Sequence, residues 1–235
     1  MRRIWIALLA AVVFTAVTAV SAAAGIPANP KWESSDPLAS WQNGGFLICN
    51  NEWGAGFGPQ TIWADSYRHW GVESDQTAGN TVVETYPCVQ KTYDNVPVSE
   101  FGAIRNGFTQ SMPSGVGLRA EAADDVWLDD YGIEVMIWVD NHRQVPAGHV
   151  ISHLTSYGQR FAVWRAGSIY TFVLNHNETS GVTHILTAIQ WLIQHHYVPA
   201  AATLTQVNFG WEIASTGGNP MDFTVTNYWL QAPRS

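Results

Sequence analysis

Charge is scarce in this 235-residue sequence: 13% of residues are charged, and the formal net charge is -8 at pH 7. Lysine is nearly missing, with Lys31 and Lys91 alone, and the nine arginines are scattered along the chain. No basic stripe follows a phosphate backbone, which argues against a nucleic-acid partner. Cysteine is equally sparse. Cys49 and Cys88 are the only two, and neither has a second cysteine or a histidine at metal-ligand spacing. An oxidising compartment permits a disulfide between them, and the residues leave that bridge and two buried thiols both open. Beyond residue 20 no apolar run is long enough to span a bilayer. Internal repeats, low-complexity tracts and Pro/Ser/Thr-rich linkers are missing as well, which excludes repeat architectures and disordered arrays.

What the sequence does hold is an unusual load of aromatic residues: 12 Trp, 8 Tyr and 9 Phe. Such an excess fits either a heavily aromatic core or a surface that stacks on flat apolar faces such as sugar rings. The N-terminus has a different job. Arg2 and Arg3 precede an uncharged apolar run, Ile4 to Val20, and Ser21-Ala22-Ala23-Ala24 supplies small residues for a signal peptidase. A retained anchor is the weaker alternative, because the run is short for a spanning helix and lacks a positive flank after it. The expectation is a signal peptide over residues 1–24 and one domain over 25–235. The product is then secreted, monomeric and free of stable membrane association after cleavage.

From residue 25 onward, short runs rich in Val, Ile, Thr, Trp and Tyr alternate with Gly, Asn, Asp and Pro clusters. Strands are expected at 41–51, 82–86, 107–112, 117–123, 132–140, 160–166, 168–174, 203–213 and 222–230. Arg165-Ala166-Gly167-Ser168 reads as a hairpin turn. One segment has helical period: Ile185, Ile189, Leu192 and Ile193 share a face, Thr183 offers an N-cap, and His195-His196 close the C-terminal end. His149 and His153 fall in strand and loop, where a four-residue step builds no compact metal site. The fold class is therefore all-β, a sandwich carrying one packed α-helix.

Two strands carry carboxylates in unexpected places. Alternation through 132–139 puts Ile133, Val135, Ile137 and Val139 on a core face and Glu134, Met136 and Trp138 on the other. Through 203–213, Val207, Phe209, Trp211 and Ile213 face the core, whereas Gln206, Asn208, Gly210 and Glu212 share a polar face. Gly210 is expected to leave room beside Glu212 for something to approach. Two glutamates from strands of one concave sheet make the pair that glycoside hydrolysis needs, one to protonate the leaving oxygen and one to stabilise or attack the anomeric carbon. Asp124, Asp125, Asp129 and Asp130 cluster ahead of the first of these strands and read mostly as turn residues. Asp125 is the exception, a carboxylate able to orient a neighbouring glutamate through a shared proton.

Asn50-Asn51-Glu52-Trp53-Gly54, Glu134-Val135-Met136-Ile137-Trp138 and Phe209-Gly210-Trp211-Glu212 occur in an order that resembles glycoside hydrolase family 12 over most of residues 41–230. The resemblance implies a β-jelly-roll with a concave substrate cleft and the activity of an endo-β-1,4-glucanase that retains anomeric configuration. It implies Glu134 as nucleophile, Glu212 as general acid/base and Asp125 as the carboxylate against the nucleophile. Asn51, Trp53, Met136 and Trp138 match residues that bind sugar or line the cleft. Neither metal nor organic cofactor is implied, and the partner is a β-glucan polysaccharide, soluble or amorphous. Departures fall beside the centre: Ile213 follows the acid/base where proline is frequent, Val145-Pro146-Ala147-Gly148 replaces a Gly-Pro-Ile-Gly loop, and Cys49 and Cys88 are not the usual cysteine pair. Xyloglucan or mixed-linkage glucan is the alternative substrate of the same machinery. A lectin-like jelly roll that binds glycans without cleaving them is the alternative from another class.

Overall fold

A computed structural model describes residues 25–235 of the chain, so the expected signal peptide lies outside the described residues. The chain begins with β1 (Trp32–Ser34), β2 (Ser40–Asn43), β3 (Phe46–Cys49), β4 (Gln60–Ser66) and β5 (His69–Ser74). Next come β6 (Cys88–Pro97), β7 (Arg105–Ser111), β8 (Leu118–Leu128), β9 (Ile133–His142) and β10 (His149–Ser156). β11 (Gln159–Ala166), β12 (Ile169–Leu174) and β13 (Ser180–Thr183) precede α1 (Ile185–Gln194), and β14 (Thr203–Thr216) and β15 (Met221–Gln231) finish the fold.

The strands form two sheets, of order β1-β4-β5-β15-β7-β13 and β10-β11-β12-β9-β8-β14-β6-β3-β2. All neighbours run antiparallel except β9 and β12. The inner face of the nine-stranded sheet is covered twice. Val89, Ala120, Phe209, Trp211 and Ile213 pack against Ile62, Trp70, Val72, Phe223 and Tyr228 of the other sheet. Farther along, Val126, Val135, Ile137 and Phe172 pack on Ile185, Ile189 and Leu192 of α1. Burial of each such side chain contributes about 2 kcal/mol, which selects the register that points them inward. The outer face is left to the functional residues.

Several local expectations need correction. Residues 41–51 form a hairpin rather than one strand, because Gly44 and Gly45 adopt φ of 59° and 80° and turn the chain between β2 and β3. Residues 82–86 make only an isolated bridge, Thr85 to Glu52. Their backbone groups bond to a loop and to β14 instead: Tyr86 N–H to the Asn51 carbonyl at 2.9 Å, Ile213 N–H to the Thr85 carbonyl at 3.2 Å. Thr183 does not cap α1. It belongs to the β13–β7 ladder opposite Asn106, so the helix starts after His184, whose ring stacks on Tyr157 at 3.5 Å. The hairpin at Gly167 and the His195 end of the helix fall where expected, with His195 Nδ1 bonded to the Trp191 carbonyl at 2.8 Å.

The acidic cluster divides. Asp129 and Asp130 are turn residues with φ of 51° and 53°. Asp124 and Asp125 are not, because β8 continues through them to Leu128 and buries both. Asp124 faces the interior in the row of Phe209 and Ile137, where the Asn106 side-chain amide donates to it. Burial pushes its carboxyl up to about 8, so a neutral acid occupies the core.

Candidate active site

The three central strands β9, β8 and β14 lie side by side, and their outward positions build the site. Register aligns Glu134, Trp127 and Gln206 in one row, then Met136, Asp125 and Asn208, then Trp138, Ala123 and Gly210, and finally Asn141, Glu121 and Glu212. A cavity of about 320 Å³ opens on this face, and Glu134, Glu212 and Asp125 all line it. The strong twist of neighbouring strands brings diagonal positions of one face toward each other. The carboxyls consequently act on one another.

Burial and the Glu212 carboxylate push Glu134 up to about 7. Burial is also the first cause raising Asp125, followed by the charges of Glu134 and Glu212. Asp125 is held by two donors, the Trp127 indole N–H at 2.8 Å and the Asn208 amide at 3.3 Å, while its Oδ1 has no partner. Those bonds fix its rotamer beside Glu134. Glu212 is raised by burial as well, an effect that its contact with Glu121 opposes. Like charges packed close together in a partly buried site hold protons among themselves, which is the condition for one carboxyl to act as acid while another acts as base or nucleophile.

Asn51 and Trp53 reach the same cavity from the loop after β3. Asn51 has φ of 50° and is locked to Tyr86 twice, by its side-chain amide to the Tyr86 carbonyl at 3.1 Å and by the reverse backbone bond. Trp53 is 41% exposed, an aromatic face offered to solvent at the cavity edge. Met136 and Trp138 share the face of Glu134, as alternation requires, but they do not line the cavity. They are 5% and 3% exposed and pack with Ala123 and Val173. The small side chain of Ala123 leaves space that these two large apolar groups fill, and burial is worth more to them than exposure to sugar. Gly210 likewise serves the fold. A Cβ there would lie 2.0 Å from the Pro87 carbonyl oxygen, so what approaches the glycine is the backbone ahead of β6 and not a ligand.

Residues to which the sequence assigned no part in the site complete the lining: Tyr86, Cys88, Gln90, Trp127, Gln206 and Asn208. Tyr86 donates to the Ala123 carbonyl at 3.0 Å, and Gln206 accepts from Tyr131 at 2.9 Å. Alternation alone placed Gln206 and Asn208 on the face of Glu212, whereas Tyr86 and Cys88 depend on how distant segments meet. Cys88 stands directly opposite Cys49 across the β3–β6 ladder, and both are free thiols in contact with each other. Among the described residues, no group of three His, Cys, Asp or Glu side chains is arranged to hold a metal ion, and no helix is long and apolar enough to cross a membrane.

No protein-family model matches the chain. Solved structures do. The xyloglucanase domain of NopAA, a type three effector from Sinorhizobium fredii, is 23% identical with a TM-score of 0.79, over 87% of this chain and 100% of that one. The native family 12 xyloglucanase from Bacillus licheniformis is 20% identical with a TM-score of 0.75, over 86% and 100%. Endoglucanase Cel12A from Rhodothermus marinus is 18% identical with a TM-score of 0.78, over 87% and 100%. The architecture of this chain is thus the jelly-roll sandwich of the family 12 glycoside hydrolases.

Proposed function

We propose that this protein is a secreted endo-β-1,4-glucan hydrolase that retains anomeric configuration by double displacement, acting on soluble or amorphous β-glucans. The observation that carries the reading is the convergence of Glu134, Glu212 and Asp125 on one cavity of the outer sheet face. In the first step Glu134 attacks the anomeric carbon while Glu212 protonates the departing glycosidic oxygen. In the second, Glu212 takes a proton from water, which attacks the glycosyl-enzyme and frees Glu134. The mutual charge of the pair favours this division of labour. When Glu212 carries its proton it no longer presses on Glu134, which then ionises more easily as nucleophile. Asp125, fixed by Trp127 and Asn208, stands where a proton shared with Glu134 orients the nucleophile. Trp53 provides a stacking face for a glucose ring and Asn51 a polar contact.

Secretion is carried by residues 1–24, and the mass of protein recovered from culture medium tests it: a start near residue 25 is expected, an intact N-terminus contradicts it. Xyloglucan stands as the second substrate, because two of the matched structures are named xyloglucanases. Reducing-sugar release from carboxymethylcellulose, mixed-linkage glucan, xyloglucan and xylan is the direct assay, with Glu134→Gln as control. Release from at least one β-1,4-glucan and its loss in the variant are expected. Glycan binding without release from any of them favours the lectin reading, and hydrolysis that survives Glu134→Gln removes that residue as nucleophile.

A further inference from the structure

Glu121 is a buried acid that the double displacement does not use. It stands within β8 without solvent exposure. Register sets it opposite Glu212 on one side and Asn141 on the other. Directly opposed residues on one sheet face have Cβ atoms about 4.5–5.5 Å apart, so the two glutamate carboxyls meet. Apart from its own backbone N–H, no amide, hydroxyl or ring N–H reaches either Glu121 oxygen. The polar group within hydrogen-bonding reach is the carboxyl of Glu212.

A bond between two carboxyls requires a proton on one of them. An ionised Glu121 would have no water and no donor but its own backbone N–H to stabilise it, whereas Glu212 lines the cavity and meets solvent or substrate. The proton of the contact therefore sits on Glu121. Other groups on this face do not change that assignment. Asp125 of β8, Glu134 of β9 and Glu212 itself are acids, Tyr86 approaches from the segment leading into β6, and Cys88 from the start of β6. Arg119 of β8 turns its guanidinium to the Arg143 carbonyl at 2.7 Å.

The geometry points to Glu121 as a positioning residue for the reaction proposed above: it stays neutral, donates its O–H to one oxygen of Glu212 and aims that carboxyl at the cavity. The inference rests on Glu212 being the acid/base. In the first step Glu212 gives the proton of its other oxygen to the departing glycosidic oxygen, and the Glu121 O–H stabilises the carboxylate left behind. In the second step Glu212 takes a proton from the attacking water. Glu121 keeps its own proton throughout.

The test is the pH dependence of kcat/KM on mixed-linkage glucan for the wild type, Glu121→Gln and Glu121→Leu. Glutamine keeps an uncharged donor, so its alkaline limb should stay within about 0.3 pH unit of wild type and kcat within about threefold. Leucine removes the donor. Its alkaline limb should rise by about one pH unit, the size of one lost charge-assisted hydrogen bond, and kcat should fall about tenfold with little change in KM. A downward shift in Glu121→Gln would reveal a lost negative charge and overturn the proposal, as would an unmoved limb in Glu121→Leu. Carboxyl 13C NMR titration of the wild type needs neither turnover nor a substitution at 121. It should find Glu121 protonated at neutral pH, and an ionised Glu121 overturns the proposal even in a chain that cleaves no glucan. Absence of hydrolysis by the wild type, by contrast, defeats the functional reading alone.

Discussion

Asp124 offers a prediction whose size follows from the structure. Its carboxyl has no solvent exposure, and the Thr183 hydroxyl and Asn106 amide beside it only partly offset that burial. Burial raises it from 3.8 to about 8. Below the unfolded value both states hold the proton and the acid costs the fold nothing. As pH rises above 3.8, the unfolded chain releases the proton while the folded chain keeps it until about 8. Stability therefore falls through this window by up to ~1.4 kcal/mol per pH unit and levels off above it. By pH 7 the accumulated loss is on the order of 4 kcal/mol. Asp124→Asn has no proton to exchange, and its carbonyl still accepts from Asn106. Urea unfolding of both chains at several pH values between 5 and 7 measures the difference, in which the other buried acids cancel. The variant should gain on the wild type by about 1 kcal/mol or more for each pH unit. A constant offset across that range would show that Asp124 is ionised in the fold, and would refute the reasoning.

Trp53 and Trp138 should separate binding from stability. Trp53→Ala is expected to lower kcat/KM about tenfold and leave the urea midpoint in place, whereas Trp138→Ala should cost about 3–5 kcal/mol of stability; the reverse pattern would exchange their roles. Asp125→Asn takes away the carboxyl able to share a proton with Glu134, so kcat should fall by about a hundredfold, and an unchanged rate removes Asp125 from the site. Cys49 and Cys88 face each other in register, so mild oxidation should consume both thiols together in a chain that remains monomeric by mass; loss of one thiol, or of both through intermolecular links, contradicts that pairing.

Alternation made much of the site legible. In β9 and β14 every second residue belongs to a buried face, and this alone assigns Glu134 and Glu212 to the other side. The face does not reveal depth, however. Met136 and Trp138 were on the correct side yet packed away, because the size of the hole beside Ala123 is a property of three strands together. Asp124 reads as a turn residue for a related reason. Aspartate is poor in strands, and Asn106 and Thr183, both on the other sheet, make it acceptable there. Glu121 sits in a strand with no motif around it; its importance appears once β14 is set against β8, a pairing of residues far apart in sequence. The hairpin of β4 and β5 carried a readable signal, with Ile62, Ala64, Trp70 and Val72 alternating around Tyr67 and Arg68.

The central claim is double displacement on a β-1,4-glucan, and the anomeric form of the first product tests it most directly. Proton NMR during the initial minutes of hydrolysis of mixed-linkage glucan should show the β-anomer of the new reducing end appearing first, with the α-anomer growing only as mutarotation proceeds. Initial appearance of the α-anomer would contradict Glu134 as a covalent nucleophile and replace it with a single inverting displacement.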